Sequence, residues 1–320
     1  MNLIQLIYGS NVMRIDEKAA SISKQYVGEP DDFNLITLNY KETPVEALIE
    51  EAQTLPFLSD KKALIINDVF SFTGARVKSD VNHDIDLLLE YISNKNDDTL
   101  IIFKVFNEQL DKRKKLTKLI QKNGQVTEIS EMTENELLEY IKKNLQEENI
   151  NMSDETAQLF LHRTGMNYTV VTNELRKLML YVDDNVTNQD VEEIVSISLE
   201  QNIFKLTEYI LNGRKTEAVQ LVRELILQKE EPMQLLHLII SQFRLLYQVK
   251  LLMGEGFQQD YIARELKVHP YRVKLAQREV RRYQQNVLEE KMVKCRDMDY
   301  RFKSSYLDRE TLFELFLLEI

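Results

Sequence analysis

The first 140 residues alternate between two hydrophobic patterns, and this alternation restricts the fold class more than any other feature of the chain. Short, nearly continuous apolar runs are separated by segments whose apolar residues recur every three or four positions, the period of a helix. Strands that are buried on both faces have this continuous apolar character. The pattern therefore predicts an α/β domain with a parallel sheet covered by helices. The predicted strands are Leu3–Tyr8, Leu35–Leu38, Ala63–Ile66, Leu100–Phe106 and Gln125–Ile129.

After Ser130 the strand pattern stops, and the remaining sequence has helical periodicity. Thr133 begins the sequence Thr-Glu-Asn-Glu, which is typical of a capped helix start. Apolar residues cover much of the circumference of a longer segment at 233–253, as expected for the central helix of a bundle. We therefore expect an α/β domain at 1–140 and two all-α domains, a small one at 141–205 and a larger one at 206–320.

Glycine is scarce, with only 8 residues in 320, whereas average usage is about 7 %. A phosphate-binding loop needs several glycines, followed by a lysine and a serine or threonine. The loop after the first predicted strand has Gly9 alone, and Met13 and Arg14 follow where the lysine and the hydroxyl would be needed. We expect no nucleotide hydrolysis by this chain.

Charge and side-chain chemistry exclude further classes of function. The formal net charge is −11, which argues against a free-standing nucleic-acid binder with a basic surface. Cys295 is the single cysteine and the four histidines are scattered, so the sequence predicts no disulfide, no metal site and no catalytic group. We expect no cofactor, no membrane span and a cytoplasmic location.

One apolar segment lies where exposure is expected, between a helix and the third predicted strand. It reads Leu55-Pro56-Phe57-Leu58, and Pro56 stops the helix and biases Leu55 away from helical geometry. Two interpretations remain open. The side chains fold back onto the core as a flap, or they form a hydrophobic wedge for the pocket of a partner, where an aromatic anchor is the usual hot spot.

A second segment, residues 258–282, resembles a helix-turn-helix whose second helix is basic. Against a DNA-reading role, its turn has no glycine and the chain around it is acidic. The basic side chains could form a solvated face, contact acidic neighbours in an assembly, or bind phosphates of DNA. A helix-turn-helix DNA-binding protein therefore stays open as an alternative function. The residues concerned are Lys274, Arg278, Arg281 and Arg282.

Four motifs give the chain a family resemblance. They are the opening strand with Tyr8-Gly9, the Leu55–Ser59 turn before a lysine-rich strand start, the helix Val171–Tyr181, and Val268–Gln277, which contains His-Pro-Tyr-Arg-Val-Lys. With them the chain resembles, over essentially its whole length, the delta subunits of the bacterial DNA polymerase III clamp loader.

The resemblance implies an AAA+-like α/β domain without a working phosphate loop, a small helical lid domain and a helical collar domain for oligomerisation. It implies a non-catalytic component of the DNA polymerase III holoenzyme, which binds the sliding clamp (beta) and opens one interface of the ring. The implied partners are the ATPase gamma/tau subunits and delta-prime in a heteropentamer, together with primed DNA. A degenerate ATPase that keeps nucleotide as a structural ligand is a further hypothesis.

The clamp-binding element of this family is an apolar pair, commonly Leu-Phe, and it corresponds to Leu55–Leu58. Phe57 is the implied aromatic anchor. Pro56 stands where the simplest family pattern has leucine, so either Leu55 or Leu58 could be the second anchor.

Overall fold

The computed structural model describes residues 2–56, 59–75, 77–94 and 99–320. Backbone contacts divide the chain into two compact units, Met1–Glu131 and Met132–Ile320. The division comes just before a helix that spans Glu134–Glu147, whereas the sequence-based boundary after residue 140 lies inside that helix. The partition of the helical part at residue 205 stays a prediction.

In its described part, the first unit contains a parallel sheet of five strands with the order β2-β3-β4-β1-β5. The strands are β1 (Ile4–Gly9), β2 (Leu35–Asn39), β3 (Lys62–Asn67), β4 (Thr99–Val105) and β5 (Gln125–Ile129). The helices are α1 (Val12–Val27), α2 (Val45–Gln53), α3 (Ile85–Ser93) and α4 (Lys115–Asn123).

The sheet has helices on both faces, as the continuous apolar runs predicted. Successive side chains of a strand point to opposite faces. In β3, Ile65 packs with α1 on one face, and Leu64 packs with α2, α3 and α4 on the other. The central strand β4 is buried along its whole length. The predicted strands are thus confirmed, with their ends displaced by at most one residue.

The second unit is helical, and the described residues add one short parallel pairing between β6 (Asn151–Met152) and β7 (Asn185–Val186). Two-residue strands carry no recognisable period, which explains why the sequence did not reveal them. The helices are α5 (Glu134–Glu147), α6 (Asp154–Thr164), α7 (Tyr168–Met179), α8 (Asn188–Ile194), α9 (Leu199–Leu211), α10 (Lys215–Leu227), α11 (Pro232–Gly254), α12 (Gln259–Leu266), α13 (Pro270–Val280), α14 (Gln285–Ser304) and α15 (Arg309–Glu319).

Helix α11 is the centre of the largest core in this unit. Its side chains Leu236, Ile239 and Phe243 are inaccessible to solvent. By length and composition alone α11 could cross a membrane, but its buried face packs against α9, α13, α14 and α15, which is the behaviour of a core helix. Cys295 on α14 is buried and free, and burial raises the pKa of its thiol to about 12. Cys295 therefore packs in the core as a small buried hydrophobe.

Candidate functional site

The apolar segment predicted as a wedge begins where α2 ends. Leu55 has 76 % of its side chain exposed, and Pro56 is half-buried. Phe57 and Leu58 lie outside the described residues. At Leu55, therefore, the structure has an exposed apolar side chain and does not have the buried flap that was the alternative interpretation.

The end of α2 is closed by local hydrogen bonds. The N–H of Thr54 donates to the carbonyls of Glu50 and Glu51, with N···O distances of 3.0 and 3.3 Å. The hydroxyl of Thr54 donates to the carbonyl of Glu50 at 2.9 Å. Pro56 follows two residues after this cap, a common position because proline cannot continue a helix. The chain consequently leaves the helix at a defined point, and Leu55 is the first residue beyond it.

Two buried side chains beneath α2 donate to carbonyls of its last turn. The ammonium of Lys62 donates to the carbonyl of Glu51 at 2.7 Å and also binds the carboxylate of the same residue. The hydroxyl of Thr99 donates to the carbonyl of Ala52 at 2.8 Å. Because cations and donors at a helix C-terminus satisfy orphan carbonyls and oppose the helix dipole, this end of α2 is well stabilised.

Sequence reasoning missed this support. In the sequence, Lys62 belongs to a lysine-rich strand start, and the one signal for its role is that a lysine is unusual at the start of a strand buried on both faces. Lys61 beside it lies with its ammonium 5.0 Å from the ring centroid of Tyr26 on α1. The two lysines thus anchor the start of β3 to the helices on opposite faces of the sheet.

The basic helix predicted from the sequence is α13, and it begins at Pro270. Its Lys274 forms an ion pair within the chain, because its ammonium lies 2.9 Å from the carboxylate of Glu134 on α5. His269, the residue that caps α13, lies with its Nε2 3.0 Å from the carbonyl oxygen of Met132. The His-Pro-Tyr-Arg-Val-Lys motif therefore includes two side chains that attach α13 to the start of the second unit.

The other three basic side chains of the prediction differ from Lys274. Arg278, Arg281 and Arg282 are exposed, and none forms an ion pair with a carboxylate in the described part of the chain. The turn between α12 and α13 uses Lys267 at φ 53°, so a lysine takes the left-handed position that glycine usually occupies. Two helices joined by a short turn are thus present, and Arg278, Arg281 and Arg282 are accessible on and just after the second one.

The single glycine of this region, Gly9, is the last residue of β1 and has a structural role. A Cβ atom on Gly9 would clash with the backbone carbonyl of Ile129 on the neighbouring strand β5. At the start of α1, the side chain of Asn11 accepts a hydrogen bond from the N–H of Arg14 at 3.0 Å. Gly9 thus permits close packing of β1 against β5. The side chain of Asn11 accepts a hydrogen bond from a backbone N–H at the start of α1, and a phosphate loop would present such N–H groups to its ligand.

The carboxyl edge of the sheet, where parallel sheets usually bind ligands, forms an open polar cleft of about 840 Å³. Tyr8 lines it and donates its hydroxyl to Glu128 at 2.7 Å. Burial, reinforced by the Glu128 carboxylate, raises the pKa of Tyr8 to about 12. Among the described residues, no group of three or more histidine, cysteine or acidic side chains is placed to hold a metal ion.

Comparison with known families decides the assignment. A family model for the delta subunit of DNA polymerase III matches residues 6–130, and a second one, for the C-terminal domain of that delta subunit, matches residues 200–320. The chain belongs to the DNA polymerase III delta subunit family. The first match covers the sheet of the first unit except for the first two residues of β1, and the second covers the helices from the second residue of α9 to α15.

Two delta-family relatives agree with this assignment, one of them over nearly the full length. The chain is 32 % identical over 320 residues to the DNA polymerase III subunit delta of Bacillus subtilis, covering 99 % of this chain and 92 % of the relative. It is 23 % identical over 206 residues to a probable DNA polymerase III subunit delta of Aquifex aeolicus, covering 62 % of this chain and 57 % of that one.

A solved structure of the same family shares the fold. The DNA clamp loader delta protein of Bacillus subtilis superimposes with a TM-score of 0.69 at 32 % identity, covering 99 % of this chain and 94 % of the other. The predicted fold class, an AAA+-like parallel α/β domain followed by helices, is thereby confirmed. The resemblance inferred from the sequence motifs is confirmed as well, and the chain is a delta subunit of the clamp loader.

Proposed function

We propose that this delta subunit binds the sliding clamp through Leu55–Leu58 and holds one interface of the ring open while the clamp is loaded on primed DNA. The observation that carries the proposal is the exposure of Leu55, an apolar residue that is 76 % exposed. Leu55 lies directly beyond the end of α2, where hydrogen bonds from Thr54, Lys62 and Thr99 hold the last turn. Exposed apolar anchors on a fixed support are typical of interface hot spots. The family resemblance supplies the partner.

Ring opening follows from differential binding. A closed ring and an open ring are two states, and a protein that binds the open state more tightly shifts the ring toward it by the difference in affinity. Burying Phe57 and one leucine provides roughly 1.5–3 kcal/mol for each side chain. This is enough to bias a marginal ring interface if the wedge contacts differ between the two states.

The direct test of the binding site is a matched pair of substitutions in exposed leucines. Leu55→Ala should weaken binding to the purified cognate clamp by about 2 kcal/mol, close to 30-fold in Kd, because it removes an interface anchor. Leu180→Ala is the control, since Leu180 is 90 % exposed in the second unit. Surface plasmon titration of both variants measures the effect. Equal affinities of the two variants would remove Leu55 from the proposed site.

The assembly of the complex is part of the same proposal. The 206–320 region acts as a collar that joins the ATPase gamma/tau subunits and delta-prime in a heteropentamer in the cytoplasm. ATP hydrolysis comes from those partners, and this chain contributes no catalytic group of its own. The single glycine at the end of β1 and the helix cap by Asn11 at the start of α1 support that division of labour.

A second role, contact with DNA, is favoured by the three exposed arginines of the α12–α13 region. We infer that Arg278, Arg281 and Arg282 contact phosphates of primed DNA or acidic collar neighbours within the assembled complex. A sequence-specific helix-turn-helix regulator remains the alternative, and it requires tight, specific duplex binding by the isolated chain with a steep salt dependence.

Substitution separates the DNA role from the clamp role. Arg281→Ala combined with Arg282→Ala should weaken primed-DNA binding by the assembled clamp loader and lower its salt slope by about 2, because each phosphate contact contributes about 1. Clamp affinity of the isolated chain should not change. Lys274→Ala serves as the control, since its ammonium is already paired with Glu134. A salt slope identical to wild type would exclude phosphate contacts at these two arginines.

A further inference from the structure

The first residues of two neighbouring strands form a buried platform under the end of α2. Lys62 and Thr99 are register partners at the starts of β3 and β4, and they are 2 % and 3 % exposed. Both send their polar atoms to α2, where they bind carbonyl oxygens of its last turn. The platform thus lies immediately below the residues that precede Leu55.

Lys62 also closes the base of the loop. An ammonium has three N–H donors, and in Lys62 they face the carbonyl of Glu51, the carboxylate of Glu51 and, at 3.4 Å, the carbonyl of Thr54. Thr54 immediately precedes the loop 55–61, and Lys62 immediately follows it. One nitrogen atom therefore links the two ends of the segment that contains Leu55–Leu58.

The chemistry of Lys62 indicates a positional role. A buried ammonium is retained at an energetic disadvantage unless it is paired and fully hydrogen-bonded, and a leucine or methionine would fill the same space at the start of a strand whose next four residues are apolar. Such a residue would leave the Glu51 and Thr54 carbonyls without the donor that joins them. Only a long, charged donor such as lysine links α2 to β3 at this position.

We propose that Lys62 is a positioning residue for clamp binding: it sets the direction in which the Leu55–Leu58 segment leaves α2 and holds the two ends of the loop together. This inference rests on the proposed clamp-binding function. A pre-organised loop binds more tightly than a mobile one, because less conformational freedom is lost on association. Lys62 itself is too deeply buried to touch a partner.

The test compares two buried lysines of the first unit. Lys62→Met should weaken binding of the full chain to the purified cognate clamp by about 10-fold in Kd, because it removes the hydrogen bonds that join Lys62 to Glu51 and Thr54. Lys104→Met is the matched control, because Lys104 is 7 % exposed and pairs with Asp16 on α1, on the opposite face of the sheet. Amide hydrogen exchange in the peptide 50–62 should become faster in Lys62→Met alone.

A double-mutant cycle with Phe57→Ala distinguishes positioning from general destabilisation. If Lys62 acts through the loop, Lys62→Met should have little further effect in a Phe57→Ala background. Fully additive effects, or an affinity loss equal to that of Lys104→Met, would overturn the proposal. If Lys62→Met does not fold, Thr99→Val removes the neighbouring donor and should weaken clamp binding in the same non-additive way.

The outcomes separate this inference from the function on which it rests. Weaker binding by Phe57→Ala with unchanged binding by Lys62→Met would overturn the positioning role and keep the clamp-binding site. Unchanged binding by Phe57→Ala and Leu55→Ala would remove the site itself, and the role of Lys62 with it.

Discussion

Replacing Leu55 and Phe57 together by alanine is expected to reduce the affinity of the chain for its sliding clamp by about 100-fold or more. Each apolar anchor provides roughly 1.5–3 kcal/mol when it is fully buried in a pocket, and about 1.4 kcal/mol corresponds to tenfold in Kd. Phe57 has the larger share, since aromatic anchors are enriched among hot spots. The measurement is surface plasmon resonance with immobilised clamp, with the dissociation rate expected to change most.

Two controls accompany the double variant. Circular dichroism of the single Leu55→Ala variant should show an unchanged melting curve, because the Leu55 side chain is exposed and supports no core. A paired Leu180→Ala and Phe257→Ala variant removes the same two residue types at exposed positions of the second unit. If that control loses as much affinity as the double variant, the clamp does not recognise residues 55–58.

Replacing Gly9 by alanine is expected to lower the free energy of unfolding of the full chain by about 3 kcal/mol, at the upper end of the usual range for overpacking. The added methyl group meets the carbonyl of Ile129, which is backbone within the β1–β5 pairing. Because neither strand can move without disturbing the sheet, the strain cannot relax cheaply. Chemical denaturation of the full chain measures the change.

Gly254 provides the matched control for Gly9. It is the last residue of α11, and a Cβ atom added there would have no heavy atom within 4 Å. In a helix, alanine is favoured over glycine by about 1 kcal/mol or less. Gly254→Ala should therefore leave stability unchanged or slightly higher. A Gly9→Ala variant as stable as wild type would show that the glycine is not needed for packing of β1 against β5.

The strands could be predicted because each is nearly continuously apolar. Ala63–Ile66 carries no polar residue, and a short apolar segment of this length between two helical segments is typical of a strand buried on both faces of a sheet. The helical second part followed from caps such as Thr133, whose hydroxyl and N–H form the expected reciprocal bonds with Glu136. Local signals of this kind depend only on neighbours in sequence.

The supports of the candidate site could not be predicted, because they join residues far apart in sequence. Thr99 reaches Ala52 across 47 positions, and Lys274 reaches Glu134 across 140. Periodicity identifies which face of an element is buried, but it does not say which polar side chain meets which carbonyl. Lys274 consequently seemed as available to DNA as Arg278, and only the folded chain distinguishes them.

The ring-opening claim is tested most directly by titrating the chain against two forms of the clamp. One is the intact ring, and the other is a clamp whose protomers are kept apart by a substitution at the ring interface. If binding energy is used to hold an interface open, the separated protomer should bind at least about 10-fold more tightly, since no interface has to be broken. Equal affinity for the two forms would contradict the account.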